Sequence, residues 1–134
     1  MALHIGTHKG INIESYYVTG NASQVVEHLA RSLSSISRRD RPVIGSYVGI
    51  ASGYDQFTAL KNRIDDAKIA MGITRMVCVY ESSSRTNTKY VERKLIERFK
   101  SLKRHYEFYN EASGGQGRPP LPDKTNYVYF ALNT

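Results

Sequence analysis

The chain has one cysteine, Cys78, and no tryptophan. A lone thiol cannot build an internal disulfide framework, which excludes the small stapled folds of the secretory route. Proline is scarce and uneven: apart from Pro42, all of it falls at residues 119, 120 and 122. No stretch approaches the roughly 18 apolar residues that a membrane-spanning helix needs, so no membrane partner is expected. The first residues, Met1 to Gly6, show no basic segment followed by an apolar run. A soluble, cytoplasmic protein is the expectation. Acidic residues are also in short supply, 12 Asp and Glu against 19 Lys and Arg.

That imbalance gives a formal net charge of +7 and a pI near 9.6. A basic surface of this size points to a polyanion, and nucleic acid is the commonest one. The other composition figures are ordinary: 134 residues, 40% hydrophobic and 23% charged. They fit one globular domain over residues 1–134 with a single core and exclude collagen-like, coiled-coil and disordered classes. The aromatics are ten Tyr and four Phe, and tyrosine can pack, stack on bases or exchange a proton.

The hydrophobic pattern alternates between strand and helix periods. Ser15 to Thr19 reads as a strand. Asn21 with Gln24 three residues on forms a capping box, opening a helix with Val25, Val26, Leu29, Leu33 and Ile36 on one stripe. Pro42 bars its continuation. Val43 to Ala51 is the next strand. Phe57, Leu60, Ile64, Ala67 and Met71 then mark a helix from about Asp55, with Gly72 as its stop. Ile73 to Tyr80 suits a buried central strand, and Cys78 within it reads as an inert thiol. A polar segment, Ser82 to Thr88, leads to a helix from Lys89 to Lys103 carrying Val91, Leu95, Phe99 and Leu102. Residues 106–124 are irregular and rich in Gly and Pro, and Tyr127 to Leu132 is the last strand. The expected fold is α/β, a small mixed sheet flanked by helices.

Nucleotide cradles are missing. No G-x-x-x-x-G-K-[ST] loop accompanies Ser113-Gly114-Gly115-Gln116, and Gly45, Gly49 and Gly53 do not make a dinucleotide fingerprint. The glycines at 114 and 115, with Arg118 beside them, could instead bring backbone N–H groups to a phosphate.

Three features combine into a candidate site. Tyr47-Val48-Gly49 places a tyrosine two residues before a strand glycine. Arg63 sits one step off an apolar helical stripe, and Glu92 borders another. A carboxylate at a buried border needs a cation, a donor or a metal ion. With Leu60-Lys61-Asn62-Arg63-Ile64 on the helix and Glu92-Arg93-Lys94-Leu95-Ile96, then Phe99, then Asn110, downstream, the segment from Val43 to Gly117 resembles the GIY-YIG nuclease superfamily.

The resemblance implies a GIY-YIG-like region over 43–117, preceded by a strand-helix extension (1–42) and followed by a loop and strand (118–134). It implies a metal-dependent endonuclease that hydrolyses phosphodiester bonds, with DNA favoured over RNA; a homodimer could cut both strands. By position, Glu92 would ligate Mg²⁺ or Mn²⁺, Tyr47 would act as general base, Arg63 would stabilise the scissile phosphate and Asn110 would shape the site. Arg39, Arg41, Lys61, Lys68, Arg93 and Arg118 would contact nucleic acid. The family's first motif, G-I-Y, belongs on a strand just before Y-V-G. Here Gly10-Ile11 runs into Asn12, and Tyr16-Tyr17-Val18 has no glycine ahead of it. Either Tyr16, Tyr17 or Lys68 fills that role, or the domain is a non-catalytic module that binds nucleic acid or a nucleotide.

Overall fold

The computed structural model describes residues 3–16, 21–37, 45–65, 73–100, 107–108 and 125–133, with the side chains of 30–37, 45–47, 99–100, 107–108 and 133 outside that description. The elements run β1 (Leu3–His8), β2 (Ile11–Ser15), α1 (Ala22–Ser37), β3 (Gly45–Gly53), α2 (Gln56–Asp65), β4 (Arg75–Ser82), α3 (Arg85–Lys100), β5 (Glu107–Phe108) and β6 (Thr125–Asn133). They form a mixed sheet of order β1-β2-β4-β6-β3-β5 with helices on both faces. The α/β expectation holds.

The N-terminal residues form a hairpin that the sequence reading passes over. Lys9 and Gly10 both take positive φ, 50° and 80°, the geometry of a two-residue turn whose twist suits the flanking strands. The hairpin is not an appendage. β2 runs parallel to β4, with Ser15 opposite Cys78, so the first strands belong to the same sheet as the rest. Gln24 and Asn21 exchange side-chain to backbone hydrogen bonds of 3.1 and 2.9 Å, which confirms the capping box at the start of α1.

β4 behaves as the expected central strand. It lies between β2 and β6, and residues 75–80 are all buried because both faces of the sheet are covered. Its Cys78 thiol is pushed up to about 12, chiefly by burial, so it stays protonated and inert. The longest pairing joins β3 and β6, antiparallel from Gly45↔Asn133 to Gly53↔Thr125. α3 begins at Arg85, one turn earlier than its apolar stripe suggests. Ser84 caps it, accepting from the Asn87 N–H at 3.1 Å on its hydroxyl and from the Thr88 hydroxyl at 2.7 Å on its carbonyl.

Strand alternation divides the core into two clusters. On the first face, Val25, Val26 and Leu29 of α1 and Val91, Leu95 and Ile96 of α3 pack on Val48, Ile50, Val77, Val79, Val128 and Phe130. On the second, Ala59, Leu60 and Ile64 of α2 pack on Ile13, Ala51, Met76, Cys78, Tyr127, Tyr129 and Ala131. No helix of the described residues is long and apolar enough to cross a membrane.

Candidate functional site

The second face takes its polar groups from α2 and β6. Asp55 caps α2, accepting the Thr58 N–H at 2.7 Å. Backbone and side-chain hydrogen bonds from Thr58 hold its carboxyl below the usual range. The cap fixes the helix phase so that Ala59, Leu60, Arg63 and Ile64 all turn inward. Arg63 is 4% exposed, its stem packed in this layer as its position beside Leu60 and Ile64 predicts.

Facing α2, β6 presents Tyr127 opposite Ala51 and Tyr129 opposite Gly49. Both tyrosines are buried. Burial raises the Tyr127 hydroxyl above its ordinary value; Glu81, Cys78 and Asp55 add to the rise, and a hydrogen bond with Thr125 opposes it. Tyr47 lies in β3 opposite Ala131.

The first face carries Glu92. It sits on α3 between Val91, Leu95 and Ile96 and is 2% exposed. Burial pushes its carboxyl up to about 7, with Lys89 pulling more weakly the other way. Elsewhere on this face, Arg75 donates to Glu14 through Nε at 2.8 Å and Nη2 at 3.1 Å, a buried two-pronged ion pair. Ser52 donates to buried Asn126 at 2.5 Å.

The structure therefore does not assemble the cleft that the resemblance implies. Arg63 and Glu92 belong to helices on opposite faces, with the sheet between them. The reason is the parity of the crossovers: β3 is followed by a helix on one side and β4 by a helix on the other. The burial of Glu92 also does not fit a hydrated divalent cation: Mg²⁺ usually keeps several waters, whereas Glu92 is 2% exposed on a helix packed against the first core cluster. Among the described residues no group of three or more His, Cys, Asp or Glu could hold a metal ion.

The remaining predicted residues divide simply. Lys61 is half-buried on α2 and Arg93 is exposed on α3. Tyr17, Arg39, Arg41, Lys68, Asn110 and Arg118 lie outside the described residues, as does the side chain of Tyr47. Tyr16 packs half-buried on the first face, its ring centroid 6.3 Å from that of His28, which puts it across the sheet from Arg63.

What the sequence reading missed is the partner of the Y-V-G strand. A strand just before β3 would ordinarily pair with it as a hairpin. Here β2 is engaged by β1 and β4, and the antiparallel partner of β3 is β6, from the far end of the chain. The available signal was Tyr127-Val128-Tyr129, two tyrosines at strand spacing in a segment read only as a closing strand. Comparison with known protein families, with curated proteins and with solved structures yields no match.

Proposed function

We propose that this protein binds nucleic acid, with the outer side of α3 as its contact surface. One observation carries the reading. Arg85, Lys89 and Arg93 recur every fourth residue on α3 and are all exposed. Among the described residues none of the three forms a salt bridge, and only Lys89 feels an acidic neighbour, the buried Glu92. Their backbone positions are about 6 Å apart along the helix axis, so they form a cationic row winding along one side of α3. Such a row attracts phosphates without reading sequence, and its affinity falls steeply with salt because counterions are released on binding. The net charge of +7 adds long-range attraction.

The test is a salt titration of binding to labelled DNA and RNA oligonucleotides. The triple variant Arg85→Gln, Lys89→Gln, Arg93→Gln is expected to lose roughly two units of the slope of log K against log salt. A triple variant that binds with the wild-type slope and affinity sinks the assignment of α3.

A second reading is an endonuclease hydrolysing phosphodiester bonds, the activity that the resemblance implies. It is favoured by the alignment of β6 along β3, which puts Tyr127 and Tyr129 on the face that holds Arg63. The same oligonucleotides incubated with Mg²⁺ or Mn²⁺ separate the two. Cleavage abolished by Arg63→Gln and by Tyr129→Phe supports the enzyme. Intact substrate with binding retained leaves the binding module.

A further inference from the structure

α3 carries an aromatic ring among its cations. Tyr90 is half-buried: one part of it packs against the first core cluster, and the rest stays open to solvent. Lys94 holds its Nζ over the ring, 6.0 Å from the centroid. On a helix the i+3 and i+4 positions adjoin a residue on the same surface, so Arg93 and Lys94 flank Tyr90 on one side along the chain, and Lys89 precedes it directly. Glu97 lies one further turn along, where Lys94 reaches it at 3.5 Å and offsets its charge. The result is a flat, anchored π-face bordered by the cationic row.

We infer that this surface takes a single strand rather than a duplex, with a base stacked on Tyr90 and the adjoining phosphates held by Lys89, Arg93 and Lys94. The inference rests on the nucleic-acid reading and names its substrate class. In a duplex the bases already stack on each other and offer no free face, so a ring fixed on a helix gains nothing there. In a single strand every base has a free face, and stacking on an aromatic side chain tolerates any sequence. A stacking base displaces Lys94 from above the ring, and Lys94 then exchanges its cation–π contact for an adjoining phosphate. The ring is suited to the task because its packing against the core limits the rotamer freedom lost on binding.

The test uses the full chain, fluorescence anisotropy, an oligothymidylate of about 12 nucleotides and a duplex of equal length. The oligothymidylate is expected to bind more tightly. Tyr90→Leu keeps an apolar contact with the core but removes the ring, and is expected to weaken oligothymidylate binding about fivefold or more. Its salt slope should stay unchanged, since no charge is lost. Tyr90→Phe is expected to bind like the wild type, whereas Arg93→Gln should lower the salt slope by about 0.7. Equal or tighter binding of the duplex, or a Tyr90→Leu variant that binds the single strand undiminished, overturns the single-strand assignment and leaves nucleic-acid binding standing. Binding of neither oligonucleotide overturns both. Should Tyr90→Leu fail to fold by circular dichroism, the wild-type preference between the two oligonucleotides decides.

Discussion

The two faces of the sheet bury polar groups in different ways. Under α1 and α3, Glu14 and Arg75 neutralise each other through two hydrogen bonds, while Glu92 is buried on the stretch of α3 that carries Val91, Leu95 and Ile96 into the core. Under α2, buried Arg63 shares its layer with Tyr127 and Tyr129 from β6. A paired charge can stay ionised inside a protein, but a carboxyl in an aliphatic setting drifts toward its neutral form. The first face is therefore shaped by packing and internal pairing, and what it offers to a partner lies on the outer side of α3. The second gathers two buried tyrosines and a buried guanidinium in one layer.

Removing core volume from both faces tests whether they are separate, and it carries the largest expected effect. Leu60→Ala on α2 and Leu95→Ala on α3 should each cost about 2–5 kcal/mol in urea unfolding. Because the sheet lies between them, the double variant should lose their sum to within about 0.5 kcal/mol. A larger deviation would mean that the clusters behave as one core.

Breaking the ion pair on the first face comes next. Glu14→Gln strands the buried Arg75 charge and is expected to cost about 3–5 kcal/mol in the same measurement. A loss under about 1 kcal/mol would show that water or rearrangement reaches this corner of the sheet.

Glu92 makes a prediction in pH. Its folded value near 7 lies above its ordinary 4.5, so the folded state binds its proton more tightly than the unfolded chain does. The resulting stability is fully present below pH 4.5 and is lost as pH rises through 7. The loss should be at most about 3 kcal/mol. Glu92→Gln, which is neutral throughout, should flatten this component of the profile. An unchanged profile in Glu92→Gln would place the titrating group elsewhere.

The smallest expected effect concerns the fit of β1 to α2. A Cβ added at Gly6 would overlap the edge of the Phe57 ring. The contact is with the end of a side chain that can swing, so Gly6→Ala should cost about 1 kcal/mol. A cost several times larger would mean that Phe57 is locked between the hairpin and the helix.

Much of the fold was legible because its periods are strong. The stripe through Phe57, Leu60 and Ile64 gave α2, the apolar run from Met76 to Tyr80 gave a strand covered on both faces, and Asn21 with Gln24 marked the start of α1. The hairpin was less visible, since only Gly10 punctuates it and Lys9, an unusual residue at positive φ, shares the turn. The early start of α3 depended on Ser84, a cap inside a polar segment that carries no apolar stripe. Of the candidate site, the burial of Arg63 and Glu92 followed from their places beside apolar stripes. Their separation did not, because a helical stripe says which side of a helix faces inward but not which face of the sheet receives it.

By itself, the sequence determined the class of the fold: a basic α/β chain with no disulfide framework, a buried inert Cys78 and charges concentrated on the helix of Glu92. Those properties are local or additive, arising from composition, periodicity and capping. Tertiary structure alone decided that Tyr127-Val128-Tyr129 lies along Gly49-Ile50-Ala51, that Glu14 finds Arg75, and that Glu92 and Arg63 turn away from one another. Strand pairing joins residues far apart in the chain, and each crossover can lay its helix on either face, so neither outcome is written in any single window of the sequence.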